Sequence, residues 1–182
     1  MTRYEPVRPE TMTDAQKAVH DSIASGPRGS VFGPFPVLLH SPGLADNVQK
    51  LGAFLRFGSA LPGNLREIAV LVTAKFWAAE FEWYAHAPIA RDEGVADGIV
   101  EAIRTGAEPS FADEAEEAVW RFSVALHETR DVDDALYGRV RALLGQEALT
   151  DLIAVCGYYT LLAMTLNLYR VPTPDGSSAF GG

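Results

Sequence analysis

Apolar residues recur at helical spacing along most of the chain, and no useful length alternates apolar and polar with period two. The pattern predicts an all-α fold. Thr13 and Gln16 make a capping box before DAQKAVHDSIAS. Residues 26–42, GPRGSVFGPFPVLLHSP, hold too many Gly and Pro for continuous helix. A helix from Gly43 to Leu61 follows, with Leu44, Val48, Leu51 and Leu55 on one face, and Pro62–Gly63 ends it. Asn64 then caps LREIAVLVTAKFWAA, which puts Glu67 at the third helical position, where a capping-box Glu belongs.

Past Gly94, a short helix from Asp97 to Thr105 stops at Gly106. Ser110 or Asp113 opens EAEEAVWRFSVALHET, and Asp131 or Asp133 opens a helix ended by Gly145. The next apolar run, LIAVCGYYTLLAMTLNLY from Leu152 to Tyr169, has about the length of a membrane span. Gly157, Tyr158, Tyr159 and Asn167 interrupt it, so it reads as a buried helix, in the core or between subunits. The closing VPTPDGSSAFGG is extended or mobile in character. The expected organisation is an N-terminal helical arm (1–25), a helical domain (26–175) and a flexible tail (176–182).

Composition narrows the function. An apolar fraction of 48% against 21% charged residues leaves apolar surface to hide, which favours self-association. A net charge of −9 without a Lys/Arg cluster argues against nucleic acid and anionic membranes as partners. The start, MTRYEPVRPE, lacks the apolar run of a signal peptide, so a cytoplasmic location is expected. One cysteine, Cys156, excludes an intrachain disulfide and any CxxC centre.

The chemistry concentrates in AAEFEWYAHAPIARDEG, residues 78–94. Glu82 and His86 are four apart and share a helix face. Glu67, Glu82 and His86 fall at roughly 0°, 60° and 100° around one continuous helix. Glu67 and Glu82 would then stand about 22 Å apart along the axis, too far for joint chemistry. Glu67 meets His86 only if the chain bends between Phe76 and Glu80, where there is neither Gly nor Pro. Pro88 adds an irregularity by removing the bond to the Tyr84 carbonyl.

These residues resemble the carboxymuconolactone decarboxylase family, whose relatives include alkylhydroperoxidase D. The peroxidase frame is a Glu, eleven residues, CxxC, three residues and a His. The same frame here reads Glu67, eleven residues, Ala79-Glu80-Phe81-Glu82, three residues, His86. Both cysteine positions are replaced, and EFEWYAH is similar to the pattern of cysteine-free members. The resemblance covers residues 30–175, most specifically 64–106. It implies an alkylhydroperoxidase D-like, oligomeric helical bundle that acts on a small-molecule substrate and assembles as a dimer, trimer or hexamer. It also implies a lyase without cofactor, acting on a small unsaturated lactone acid of the kind met in aromatic degradation. Such a substrate accepts electrons into its own conjugated carbonyl, so the protein need only steady a dienolate and deliver a proton. His86 is then the general acid/base, Glu82 its partner or a second proton carrier, and Glu67 the group that orients His86. Trp83, Tyr84, Phe76 and Trp77 would wall the site.

Plainer readings stand beside these. Glu82 and His86 also suit an exposed i,i+4 pair. Glu80 suits solvent or a helix N-terminus, and Trp83 and Tyr84 suit packing. His20, His40 and His127 are scattered, and His127 near a helix end is structural. Glu67, Glu82 and His86 have donor types that suit iron, manganese or zinc. Without HxH or HExxH, the reading is that no metal binds. SVFGPFPVLLHSP forms either a lid or a connector, and its Phe32 and Phe35 are candidates for contact with substrate. Arg56, Lys75 and Arg91 are candidate cations for an anionic substrate. Competing functions are a thiol peroxidase using Cys156, a metal-dependent oxygenase and a non-catalytic helical oligomer. The first lacks both motif thiols.

Overall fold

The computed structural model describes residues 3–181, which form a 3-10 turn at Pro9–Thr11 and eight α-helices, with no strand among the described residues. The helices are α1 (Asp14–Ser25), α2 (Phe35–Leu38), α3 (Pro42–Phe57), α4 (Gly63–Phe76), α5 (Glu80–Asp92), α6 (Asp97–Thr105), α7 (Glu114–Thr129) and α8 (Asp134–Tyr169). Caps match the sequence at three starts. Thr13 and Gln16 complete their box, Asp113 accepts from the amides of Ala115 and Glu116, and Asp133 accepts from that of Leu136.

The core is built around α4. Every residue from Leu65 to Ala74 is buried, because REIAVLVTA is apolar nearly all round and must pack on every side. Helices α5, α7 and α8 surround it. Gly145 takes φ 79°, a left-handed value that favours glycine, so α8 changes direction there and resumes at once. Past that kink Leu152, Val155, Tyr159, Leu162 and Leu166 face the core. Ile153, Leu161, Met164 and Leu168 form an exposed stripe on the other side.

Three expectations change. First, α3 does not bury the face that its largest apolar residues mark. Ala45, Val48, Gly52 and Leu55 point inward, while Leu44 and Leu51 lie exposed with Phe54 and Phe57. Close approach explains it: a Cβ on Gly52 would stand 2.0 Å from the Tyr158 hydroxyl and 2.5 Å from Arg28 Nη2, so only the small-residue face fits there.

Second, Asn64 does not cap α4. Pro62 occupies the cap and the helix begins at Gly63, two residues early. Asn64 instead donates to Glu116 Oε1 at 2.9 Å. Glu67 therefore sits in no capping box; it is wholly buried on the inward face.

Third, the tail is held as well as extended. Glu80, the first residue of α5, accepts from Ser178 Oγ and from the amides of Ala179 and Phe180. Phe180 packs edge-on against Trp83 at 5.3 Å, and Arg104 donates to the Ala179 carbonyl. At the other end, Ile23 of α1 is buried in the main core and the Val7 amide donates to the Pro36 carbonyl, which joins the arm to the domain.

Candidate active site

The expected bend lies at Trp77–Ala79. The Ala79 amide donates to the Ala74 carbonyl and the Ala78 amide to that of Lys75, the paired bonds of a Schellman helix end. Ala78 holds the left-handed position at φ 46°, where glycine is usual. This costs roughly 1–2 kcal/mol, and the lack of a glycine made the stop hard to read. Asn167 of α8 donates to the Trp77 carbonyl at 2.6 Å and helps to hold the corner.

Folding α5 back along α4 brings together what a continuous helix would keep apart. His86 Nδ1 lies 2.7 Å from Glu67 Oε2, and Arg66 Nε donates to Glu67 Oε1 at 3.0 Å. Arg66 also reaches Glu93 at 3.2 Å and the Arg56 carbonyl at 3.3 Å. Burial alone would raise the Glu67 carboxyl, but the His86 and Arg66 interactions outweigh it and hold the group below its usual range. An ionised carboxylate only accepts, so Nδ1 carries the proton of this hydrogen bond and Nε2 is left for proton exchange. The Tyr159 ring stands edge-on to the imidazole at 4.8 Å.

Glu82 behaves differently from expectation. It is buried, yet no hydrogen bond joins it to His86, whose carboxylate partner is Glu67. Neither Glu82 oxygen has a hydrogen-bond partner, and burial together with the Glu67 charge pushes its pKa well above the usual value. The neutral acid is the favoured form. Glu82→Gln should therefore stabilise the fold at pH 8. A carboxyl whose pKa is higher folded than unfolded contributes fully below its unfolded value near 4.5, and loses that contribution as pH rises through the folded value. Each pH unit in between costs about 1.4 kcal/mol. Urea unfolding at pH 5 and pH 8 measures this, and equal pH slopes for wild type and variant would contradict a desolvated Glu82.

His86 and Glu82 line a cavity of about 200 Å³, walled by Phe32, Phe35, Phe81, Tyr84, Tyr159 and Leu162. Phe32, Phe35 and Tyr84, candidates for contact with substrate, share this lining with His86 and Glu82. Phe35 and Leu38 are buried core residues, so the Gly/Pro-rich stretch is a fixed wall as much as a cover. Trp83 and Phe76 do not line this cavity. Trp83 turns into the core, because a helix puts the residue after Glu82 on another face, and Phe76 stacks on His127 at 5.0 Å beyond the bend. Trp77 packs on Phe76.

Of the candidate cations, only Arg56 lines the cavity. Lys75 stands over the Phe180 ring and Arg91 pairs with Asp97. Arg28 was missed: it lines the cavity with its guanidinium 4.7 Å over Phe35. Its place as the single basic residue of the Gly/Pro-rich stretch was the available signal. Tyr159 was also missed, since inside the long apolar run it looks like any core aromatic. Cys156 lies outside the cavity, against Ser123 at 3.8 Å, with burial pushing its thiol up to about 11. His20 bonds Asp21, His40 meets the Glu5 carbonyl and His127 meets Thr73, so none joins the site. Among the described residues no group of three or more His, Cys, Asp or Glu is arranged to hold a metal ion.

Neither a protein-family model nor a curated protein matches the sequence. A solved structure does: an alkylhydroperoxidase AhpD core from Ralstonia eutropha JMP134, an uncharacterized peroxidase-related protein. It aligns with 98% of this chain and 94% of its own, with a TM-score of 0.78 at 17% identity. On that likeness and on its eight-helix architecture, the chain has the AhpD-like all-α fold.

Proposed function

We propose that the protein is a cofactor-free acid/base enzyme acting on a small carbonyl or lactone-type carboxylic acid, by decarboxylation or isomerisation. The observation that carries this reading is that His86, held from behind by Glu67, lines one aromatic cavity together with a buried, unpartnered Glu82. In the decarboxylating case the carbon–carboxylate bond breaks and CO2 leaves. Its electron pair moves into the conjugated carbonyl to give a dienolate, and the imidazolium form of His86 closes the reaction by giving its Nε2 proton to carbon. The ring keeps its Nδ1 proton on Glu67 and takes a replacement proton from solvent before the next turnover. Glu67 holds the ring in one tautomer, and the neutral Glu82 hydroxyl donates to the enolate oxygen. Arg28 and Arg56 favour an anionic substrate at the cavity.

The test is a panel of small unsaturated lactone acids and β-keto acids, offered to chelator-treated protein in D2O. CO2 release or deuterium entering at carbon supports the reading, and neither from any member opposes it. A thiol peroxidase is the weaker alternative, because Cys156 is buried and away from the cavity. Peroxide reduction that disappears in Cys156→Ser would reverse that order.

We also propose that copies of the chain associate through exposed apolar stripes. One is Leu44, Leu51, Phe54 and Phe57 on α3; the other is Ile153, Leu161, Met164 and Leu168 on α8. Light scattering should give a species above the 19.7 kDa of one chain. Phe54→Glu or Met164→Glu should reduce it to monomer, and a monomeric wild type would end the idea.

A further inference from the structure

A second cavity, of about 290 Å³, lies where α4 ends against α6 and α7. None of its lining residues belongs to the site described above. Val72, Ile103 and Val124 make an apolar floor, and Phe76 and Trp120 offer ring faces. Phe76 is about half exposed, at 48%, although it carries a stacked partner in His127. An aromatic lining of this kind, with few polar groups, is the usual composition of a small-molecule site.

The polar groups are specific. Lys75 has no carboxylate within ion-pair distance among the described residues; its ammonium stands 5.0 Å over the Phe180 ring. Thr73 fixes the state of His127. Its hydroxyl lies 2.8 Å from the Ala69 carbonyl and 2.9 Å from His127 Nε2. A carbonyl only accepts, so the hydroxyl gives its one hydrogen there, and Nε2 must donate to Thr73. Burial lowers the His127 pKa, which favours the neutral ring and leaves Nδ1 as an acceptor. The cavity therefore presents a cation, one ring acceptor and apolar walls, with the Glu128 carboxylate on α7 also in its lining.

We propose that this cavity binds a small aromatic carboxylate carrying a hydroxyl donor, its carboxylate on Lys75, its hydroxyl on His127 Nδ1 and its ring against Phe76 and Trp120. The volume sets the size. It lies near the lower end of the roughly 300–1,000 Å³ typical of ligand sites, so one substituted ring fits better than a larger ligand. The site is independent of the acid/base reading and stands or falls without it.

Titration of the methyl-labelled full chain with 4-hydroxybenzoate, followed by NMR, tests this. Saturable shifts are expected at the methyls of Val72, Ile103, Ala107 and Val124. The neutral 4-hydroxybenzyl alcohol should bind about tenfold more weakly, the ratio expected for loss of a charge-assisted hydrogen bond. Lys75→Met should remove that preference, Val124→Trp should fill the cavity and abolish the shifts, and His86→Gln should leave them unchanged. Shifts confined to Ala85, Leu162 and Leu166 of the first cavity would overturn the proposal. So would no saturable shift at all, or an acid preference that survives Lys75→Met.

Discussion

His86→Gln is expected to lower turnover of any substrate found by about 10²–10⁴-fold while leaving the chain folded, the range associated with loss of a general acid/base. Glutamine can still offer an N–H toward Glu67 but cannot carry a proton to carbon and recover it. His86 is buried, its Nδ1 is engaged at 2.7 Å by a carboxylate, and its other nitrogen has no partner among the described residues. That arrangement leaves one imidazole nitrogen for substrate. The measurement is kcat against pH for wild type and variant, with circular dichroism to confirm equal helix content. A variant with wild-type kcat would remove His86 from the mechanism, and with it the proton-transfer reading.

Arg66→Met should produce the largest loss of stability, about 3 kcal/mol at pH 7, the lower end of the cost of breaking a buried ion pair from one side. The guanidinium is buried, at 8% exposure, and binds Glu67, Glu93 and the Arg56 carbonyl at once. Methionine fills similar volume but leaves Glu67 Oε1 without a donor. His86 still holds the other oxygen, which is why the lower end applies. The Glu67 pKa is lowered in the fold, so its stabilising contribution is complete above an unfolded value near 4.5 and disappears as pH falls through the folded one. The deficit of the variant should therefore shrink on acidification. Urea unfolding at pH 7 and pH 4 measures both quantities. A loss below about 1 kcal/mol at pH 7 would show that Glu67 does not depend on Arg66.

The two variants separate roles that the spacing alone ran together. From Glu82 and His86 at i and i+4, a contact between them was the natural expectation. The imidazole turned instead toward α4, where Glu67 is held by Arg66; those two partners lower the Glu67 pKa, while burial and the Glu67 charge raise that of the unpartnered Glu82. A full charge attracts the ring N–H more strongly than a neutral acid does. Local spacing lists the possible partners of a side chain; relative ionisation chooses among them.

Much was legible because it depends on neighbours in the chain. Helix starts at Thr13, Asp113 and Asp133, the stop at Gly106, and the buried nature of α4 follow from caps, glycines and periodicity, all of which act within one or two turns, whereas the helix expected to reach Leu61 ends at Phe57 with Gly58 as its cap. The all-α class was within reach for the same reason, whereas the grouping of Glu67, Glu82 and His86 rested on the likeness in frame and depends on a bend that no local signal marks. What needed the fold was everything set by elements far apart in sequence: the left-handed Ala78 corner held by Asn167, the inward face of α3 chosen by Tyr158 and Arg28 against Gly52, and the tail clasped by Glu80. So did the membership of Arg28 and Tyr159 in the cavity and the exclusion of Trp83 and Phe76. Burial and ionisation are properties of a volume filled by several helices, and no window along the chain contains that volume.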